Sequence, residues 1–278
     1  MKQILAIVKR NITNYVRNKG KIFGGLIMAV FMLVMFSFLM KSSMDMFSAP
    51  MEYLISGIII MTVFQTSINN SSEILEDIAK GYMKEVMVAP LKRSQISIGN
   101  ILSGALIATL QGSVTTIVGL FLGLHVSIMQ VILMLVVMMI SAMAFSSIGL
   151  FIATISRNSP AFQTFSSMIM MPLTFLSGAY IPTTVMPKVL LPIVYVNPLT
   201  YATSIFRYIS LDIWKMSANE LVKEGMAFDI NGFIITPILG LIIIVIIGSG
   251  FCLLCVRKFN QADFSTIKIA RKMQGGAH

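Results

Sequence analysis

Six long stretches of this sequence contain no aspartate, glutamate, lysine or arginine, and charge is scarce in the chain as a whole. Charged residues make up 12% of the 278 residues, about half the share of a soluble domain, and 56% are hydrophobic. Each stretch approaches or exceeds the roughly 20 apolar residues that a helix needs to cross a ~30 Å hydrocarbon core. The stretches are Ile22–Met40, Tyr53–Ser72, Ile98–Leu124, Ile128–Ser156, Ala161–Tyr180 and Ile230–Val256. They predict an all-α integral membrane protein with about six transmembrane helices.

Cysteine and histidine are also scarce, which argues against several kinds of site. Cys252 and Cys255 lie one helical turn apart in the last stretch, where they supply neither a disulfide framework nor a complete metal site. The stretches hold no ionisable residue of the kind that ion-coupled transporters keep at membrane depth. They also lack the acid or histidine cluster of a membrane enzyme and the charged filter of a channel.

The basic residues fall mainly on one side of the predicted spans. The net charge is +10, and the N-terminus is assigned to the cytoplasm with six alternating spans. Of the 21 lysines and arginines, only these then lie outside: Lys41, Lys188, Arg207, Lys215 and Lys223. The positive-inside rule therefore predicts a multi-pass cell membrane protein with both termini in the cytoplasm. Anionic lipid headgroups account for the excess charge, so no nucleic acid partner is expected.

The chain before the first span has the pattern of an amphipathic helix. Its apolar residues recur at helical spacing, and basic residues occupy the remaining arc. The apolar positions are Ile4, Leu5, Val8, Ile12, Tyr15 and Val16. Residues 1–21 are therefore predicted to form a cytoplasmic interfacial helix, and the alternative is a basic tail that only orients the first span. Residues 22–256 form the predicted transmembrane domain, and 257–278 form a basic cytoplasmic tail.

A charged loop joins the second and third spans, at about 73–97. Helical patterning continues from the second span through Ile78, and Gly81 can end that helix. A short helix at Tyr82–Val88 would then end before Pro90, because the residue before a proline avoids the helical region. The pattern predicts a short helix held across the mouth of two spans. A solvated charged hairpin is the alternative.

The external segment at about 181–210 is too apolar for an exposed loop and too interrupted for a span. Val189–Val196 and Leu199–Ile209 are each too short to cross a membrane, and Asn197-Pro198 separates them. Backbone at membrane depth is tolerated only where protein or a wet cavity satisfies its polar groups. We therefore expect two short helices that re-enter from the outer face. The polar, acidic chain after Trp214 is expected to be an external loop.

The predicted spans contain few amide side chains. Gln65, Asn69, Asn70 and Gln111 can line a path for cargo. The alternative is that they form hydrogen bonds between helices, worth about 0.6–2 kcal/mol each in membranes, and the sequence alone favours this alternative.

Two motifs of this sequence have a specific pattern of charged residues, glycines and prolines. The first motif is carried by Glu76, Asp77, Gly81, Glu85, Pro90, Arg93, Gly99 and Asn100. The second is carried by Gly178, Pro182, Pro187, Asn197, Pro198, Tyr201 and Arg207. Both resemble motifs of the ABC-2-type permeases, the membrane subunits of type V-like ABC exporters, and in particular of their bacterial drug-resistance branch. The resemblance covers essentially the whole chain, and Lys80 departs from it because relatives often carry an acid or a serine there.

The resemblance implies a permease subunit, not itself an enzyme, that exports a hydrophobic or amphipathic drug, lipid or peptide. Export of polysaccharide or lipid-linked glycan is the alternative, and a channel outside the ABC class is a more distant one. The sequence has no G-x-x-x-x-G-K-[ST] phosphate loop. ATP and Mg²⁺ would therefore be held by a separate nucleotide-binding subunit, and this chain would bind no cofactor or metal. A homodimer or a heterodimer with a second permease is implied. Residues implied in coupling to the ATPase subunit are Glu76, Asp77, Gly81, Lys84, Glu85, Pro90 and Arg93.

Overall fold

Helices make up most of the described chain. The structure is a computed structural model that describes residues 2–40, 50–80, 93–230 and 232–261. Its helices are α1 (Lys2–Arg17), α2 (Lys19–Met40), α3 (Pro50–Asn70), α4 (Ser72–Ala79), α5 (Arg93–Phe121), α6 (Ile128–Ile155), α7 (Ser159–Phe175), α8 (Leu191–Val196), α9 (Pro198–Ser210), α10 (Ala218–Lys223) and α11 (Pro237–Gln261). Two short 3-10 turns, Thr183–Val185 and Lys188–Leu190, precede α8. An antiparallel hairpin of β1 (Phe228–Ile230) and β2 (Phe233–Ile235) precedes α11.

Four helices of the described chain are long and apolar enough to cross a membrane, and there are up to six spans if each of two bent helix pairs counts as one. The four are Met51–Ala79, in which α4 continues α3, and Ser94–Phe121, Ile128–Ile155 and Pro237–Lys258, which lie in α5, α6 and α11. The bent pairs are α1 with α2, at 69°, and α8 with α9, at 84°. The predicted all-α integral membrane fold is confirmed.

Two of the predicted spans are wrong in their bounds. The stretch Ala161–Tyr180 is helical only as far as Phe175, and the 17 residues of α7 give about 25 Å of helix, less than a ~30 Å core. Gly178 turns the chain away with a φ of 80°. The stretch Ile230–Val256 begins with strand residues, and its helix starts only at Pro237. Composition locates the apolar chain, but it does not show where the backbone leaves the helix.

Helices α3 and α6 form the centre of the structure. In an 18-residue apolar section of the span formed by α3 and α4, 78% is buried, whereas 22% is buried in such a section of α11. Helix α6 packs against α3, α5, α9 and α11. Phe64 of α3 meets Phe145 of α6 edge-on, with ring centroids 4.9 Å apart. Helix α3 is therefore held on most sides by other helices, while α11 keeps most of its apolar surface for lipid.

The helix of the second span continues beyond the membrane stretch, as the sequence predicts. Helix α4 follows α3 after a single turn at Ser71 and ends at Ala79. Gly81, Lys84, Glu85 and Pro90 lie outside the described residues, and so does the predicted helix at Tyr82–Val88. Arg93, another of the predicted coupling residues, is the first residue of α5.

The predicted pair of short external helices is present. Helix α8 ends at Val196 and α9 begins at Pro198, and the side chain of Asn197 accepts a hydrogen bond from the Leu199 amide at 3.0 Å. This cap and the fixed φ of proline explain why the chain bends there.

The chain after Trp214 is more ordered than the loop that the sequence predicts. Ser217 and Glu220 form a capping box at the start of α10, and the hydrogen bonds from Ser217 lower the pKa of the Glu220 carboxyl. The β1–β2 hairpin follows. Strands this short carry little periodicity, which explains why the sequence did not reveal them.

Small residues allow the central helices to approach closely. A Cβ on Gly248 of α11 would lie 2.7 Å from the Cα of Ala144 in α6. A Cβ on Gly149 of α6 would lie 2.8 Å from the Cα of Ile68 in α3. Backbone atoms cannot move aside as a flexible side chain can, so both contacts require glycine.

We expect Gly248→Ala to lower the thermal unfolding midpoint of the purified protein in detergent. The added methyl overpacks the α6–α11 contact, which typically costs about 1–3 kcal/mol. Gly250 lies on the same helix with open space around its Cα, so Gly250→Ala is the matched control. That control should leave the midpoint unchanged or raise it slightly, because alanine favours helix. Equal midpoints for the two variants would contradict this account of the packing.

Candidate functional site

A cavity of about 380 Å³ lies between α2, α3, α5 and α7. Five amide side chains line it. They are Gln65, Asn69, Asn70, Gln111 and Gln163. The structure thus brings all four of the polar residues singled out in the sequence to one cavity, and it adds Gln163 from α7. Sequence spacing signals part of this arrangement, because Gln65 and Asn69 are four residues apart and share one face of α3.

The five amides are not equivalent. The Tyr15 hydroxyl donates to Oε1 of Gln111 at 2.6 Å, and Nε2 of Gln111 donates to the Ile22 carbonyl at 3.4 Å. Gln111 therefore connects α5 to α1 and α2, as the interhelical interpretation expects. Within the part of the chain that the structure describes, the side chains of Gln65, Asn69 and Asn70 make no hydrogen bond. Their amide groups are free to bind a molecule in the cavity.

The rest of the lining is apolar along the helices and charged at one end. Met28, Met32 and Met61 contribute flexible thioethers, which adapt to ligands of different shape. Lys21 and Glu76 lie at one end and Tyr180 lies at the other. The lining extends along α3 and α4 from Ile58 to Glu76, about 27 Å of helix. The site is therefore a long, mainly neutral cleft with a charged mouth.

Ion pairs join α1 and α2 to α4 at the charged mouth. Arg10 contacts Asp77 at 2.5 Å, and Lys21 contacts Glu73 at 2.8 Å. Glu76 pairs with Lys80 at 3.3 Å. Pairs that remain partly accessible to solvent, as these do, contribute about 0–1 kcal/mol each, so their main effect is on position. The predicted coupling residues Glu76 and Asp77 thus already contact residues of their own chain.

A polar contact that the sequence did not reveal fixes α1 against α5. Nδ2 of Asn11 donates to Oδ1 of Asn100 at 3.1 Å and to Oγ of Ser103 at 2.9 Å. Asn11 is buried together with Val8 and Tyr15. Its spacing from these two residues places it on the buried face, and this register is the signal that could have found it. Leu5 and Val16 remain exposed, with 62% and 55% of their surface accessible.

Arg207 lies beyond the Tyr180 end of the cavity and is 2% exposed. Its guanidinium donates to three backbone carbonyls: Nε to Tyr53 at 3.2 Å, Nη1 to Gly178 at 2.8 Å and Nη2 to Ala179 at 2.7 Å. The guanidinium carbon also lies 3.4 Å from the centroid of the Tyr53 ring. Hydrogen bonds and a cation–π contact therefore satisfy a buried cation that has no carboxylate partner among the described residues.

The other residues of the external motif form a structural junction around Arg207. Nδ2 of Asn197 donates to the Leu173 carbonyl at 2.7 Å, which connects the α8–α9 bend to the last turn of α7. The Tyr201 hydroxyl donates to the Tyr195 carbonyl at 2.5 Å. Pro182 and Pro187 precede the two 3-10 turns. The motif therefore builds the end of the structure beside Tyr180, whereas the amides line the cavity.

Comparison with known proteins identifies the family. A family model described as ABC-2 type transporter matches residues 2–211. Nodulation protein J of Azorhizobium caulinodans is 27% identical over 177 residues, which are 64% of this chain and 64% of that protein. The putative transport permease ycf38 of Cyanophora paradoxa is 23% identical over 238 residues, 83% of this chain and 81% of that protein. The inner membrane transport permease YadH of Escherichia coli is 23% identical over 159 residues, which are 57% of this chain and 62% of that protein.

Under two thirds of nodulation protein J and of YadH is matched by this chain. The family model nevertheless matches most of this chain, from helix α1 to the end of the bent pair α8–α9. The chain belongs to the ABC-2 type transporter family.

Proposed function

We propose that this chain is the membrane-spanning permease subunit of an ATP-driven exporter and that cargo passes through the amide-lined cavity. The observation that carries the proposal is the grouping of Gln65, Asn69 and Asn70, whose amides lack hydrogen-bond partners in the described chain and face one cavity. Unpaired amides at membrane depth are costly unless a ligand or water satisfies them. Family membership supports a transport role, and so does the similarity to ycf38 and YadH, both of which are named as transport permeases.

The lining favours a hydrophobic or amphipathic cargo such as a drug, a lipid or a peptide. Methionines offer apolar contact, and neutral amides offer hydrogen bonds to uncharged polar groups. Export of a polysaccharide or lipid-linked glycan is the second candidate. Two observations favour it: amides suit the hydroxyls of sugars, and Tyr15 and Tyr180 add aromatic surface to the lining.

A second permease would close the open side of the cavity. Asn69 and Gln163 are exposed, and hydrocarbon would leave their amides without partners. A homodimer or a heterodimer with a related chain places protein or water over them instead. The basic residues of α1, with its exposed Leu5 and Val16, suit contact with anionic lipids of the cytoplasmic leaflet. Both termini then face the cytoplasm of a cell whose plasma membrane holds the complex.

ATP and Mg²⁺ bind to a separate nucleotide-binding subunit in this proposal, because the sequence has no phosphate loop. Helix α1 and the loop after α4 provide the contact surface. The charged mouth of the cavity lies where α1 and α2 meet α4, since Arg10 and Lys21 pair there with Asp77 and Glu73.

An affinity purification from the native membrane in mild detergent tests the partner. We expect a co-purifying subunit with a Walker A motif, at a fixed ratio to this chain. A stable oligomer of this chain alone, without an ATPase, would contradict the proposal and favour a channel or a scaffold.

Charge reversal at Lys84 and Glu85 should uncouple ATP hydrolysis from transport. The two residues lie in the loop that the family resemblance assigns to the ATPase contact, so reversal should disturb the docked subunit without unfolding the membrane domain. ATP hydrolysis and cargo transport are measured together in proteoliposomes. Lys215 and Glu224, on the opposite side of the predicted membrane, are the matched control pair for reversal. Normal coupling in the Lys84 and Glu85 variant would remove these residues from the contact.

Replacing Gln65 or Asn69 with alanine should weaken cargo binding by about fivefold per residue, the factor expected for one hydrogen bond. Neither side chain has a partner in the described chain, so the thermal midpoint should not fall. Cargo-stimulated ATP hydrolysis gives the apparent affinity. Asn219→Ala, which changes an exposed amide on α10, is the control and should behave as wild type. Unchanged affinity in well-folded Gln65 and Asn69 variants would exclude these residues from the path.

A further inference from the structure

The turn Ser177–Tyr180 lies at one end of the amide-lined cavity. Tyr180 is the lining residue at that end and is 7% exposed. Its ring lies against Phe175, with centroids 5.9 Å apart. Because α7 stops at Phe175, non-helical chain and not a helix borders this end of the cavity.

The turn rests directly on α3. A Cβ on Gly57 would lie 2.4 Å from the carbonyl oxygen of Ala179 and 2.8 Å from Nη2 of Arg207. Only glycine permits an approach this close, since no other residue leaves room for the carbonyl. Gly57 is followed by Ile58, which lines the cavity. The turn therefore lies on α3 immediately beyond the cavity, across the line of this helix.

Arg207 holds the turn in this position from a third element. Its two terminal nitrogens donate to the carbonyls of Gly178 and Ala179, while Nε donates to Tyr53 on α3. The Tyr53 hydroxyl also reaches the Gly178 carbonyl, at 3.5 Å. The turn can leave α3 only if two carbonyls give up the guanidinium. Nε would keep its own acceptor on Tyr53 during such a movement, so the arginine would not lose all its partners.

We propose that the turn Ser177–Tyr180 is the outer gate of the cavity and that Arg207 is the positioning residue that holds it closed on α3. The inference rests on the proposed function, in which cargo leaves through this end. Gly178, with its φ of 80°, gives the turn a backbone position at which it can hinge.

Thiol labelling in intact cells tests the gate without any need for cargo or ATP. Cys252 and Cys255 are first replaced with serine, and Gln65→Cys places a reporter inside the cavity. A membrane-impermeant maleimide is added outside the cells, and its rate of reaction with the reporter is measured. Asn219→Cys on α10 marks full access from outside, and Asn14→Cys on α1 marks no access.

We expect the reporter to react slowly when the gate is intact and at least about tenfold faster with Arg207→Met, because two charge-assisted hydrogen bonds are lost. Lys188→Met is the matched control, since it removes an exposed positive charge from the same external segment. It should leave the labelling rate unchanged. A fast reaction with the gate intact, or no acceleration in a folded Arg207→Met protein, would overturn the proposal.

Two further variants keep the test decisive if Arg207→Met does not fold, as judged by size-exclusion chromatography. Tyr180→Ala removes the closing ring and leaves the arginine contacts in place, and Gly57→Ala pushes the Ala179 carbonyl away from α3. Each should accelerate labelling, and unchanged rates in both would overturn the gate. Failure of the proposed function is separate: labelling that follows these predictions in a protein without an ATPase partner would retain the gate and reject the exporter.

Discussion

Backbone carbonyls that leave a helix at membrane depth must find donors, and side chains of α9 and of the bend before it supply them in this protein. Asn197 donates to Leu173, and Arg207 donates to Gly178 and Ala179. Without these donors the turn after α7 would have unpaired carbonyls in an apolar surrounding, at a cost of several kcal/mol each. The same hydrogen bonds stabilise the buried Arg207 guanidinium, because burial of a cation without partners would cost still more free energy. The short α7, the bend at α8–α9 and the buried arginine therefore require one another.

Helix α3, together with α4, connects the two ends of the cavity. Helix α3 meets the turn and Arg207 at Tyr53 and Gly57, and it continues through α4 to Asp77, where α1 is paired. Only the turn at Ser71 interrupts this path, which is largely buried among other helices. Close-packed elements move as units and do not deform continuously. In the proposed exporter, a displacement of α4 at the ATPase side would thus be carried along α3 towards the contacts that hold the outer turn.

Sequence reasoning succeeded where the determining pattern is local. Uncharged runs predict the long helices, the helical spacing of Val8 and Tyr15 predicts α1, and Asn197-Pro198 predicts the bend. It failed where the partner is distant in sequence. The end of α7 depends on donors 24 to 29 residues away, on α9 and in the bend before it, and Asn11 finds its partners on α5. An arginine in an external motif can be read as exposed, whereas in the structure it is the largest fully buried side chain of the described residues.

Residue type alone does not show whether a polar side chain in a span forms hydrogen bonds between helices or lines a path for cargo. Gln111 and Gln65 are the same amino acid in similar apolar surroundings. Gln111 faces the region crossed by α1, so Tyr15 and the Ile22 carbonyl satisfy it. Gln65 and Asn69 project from α3 towards the space between α2 and α7, where no described donor or acceptor reaches them. The separation of the helices that flank each amide, and not the amide itself, decides whether it joins helices or faces a path.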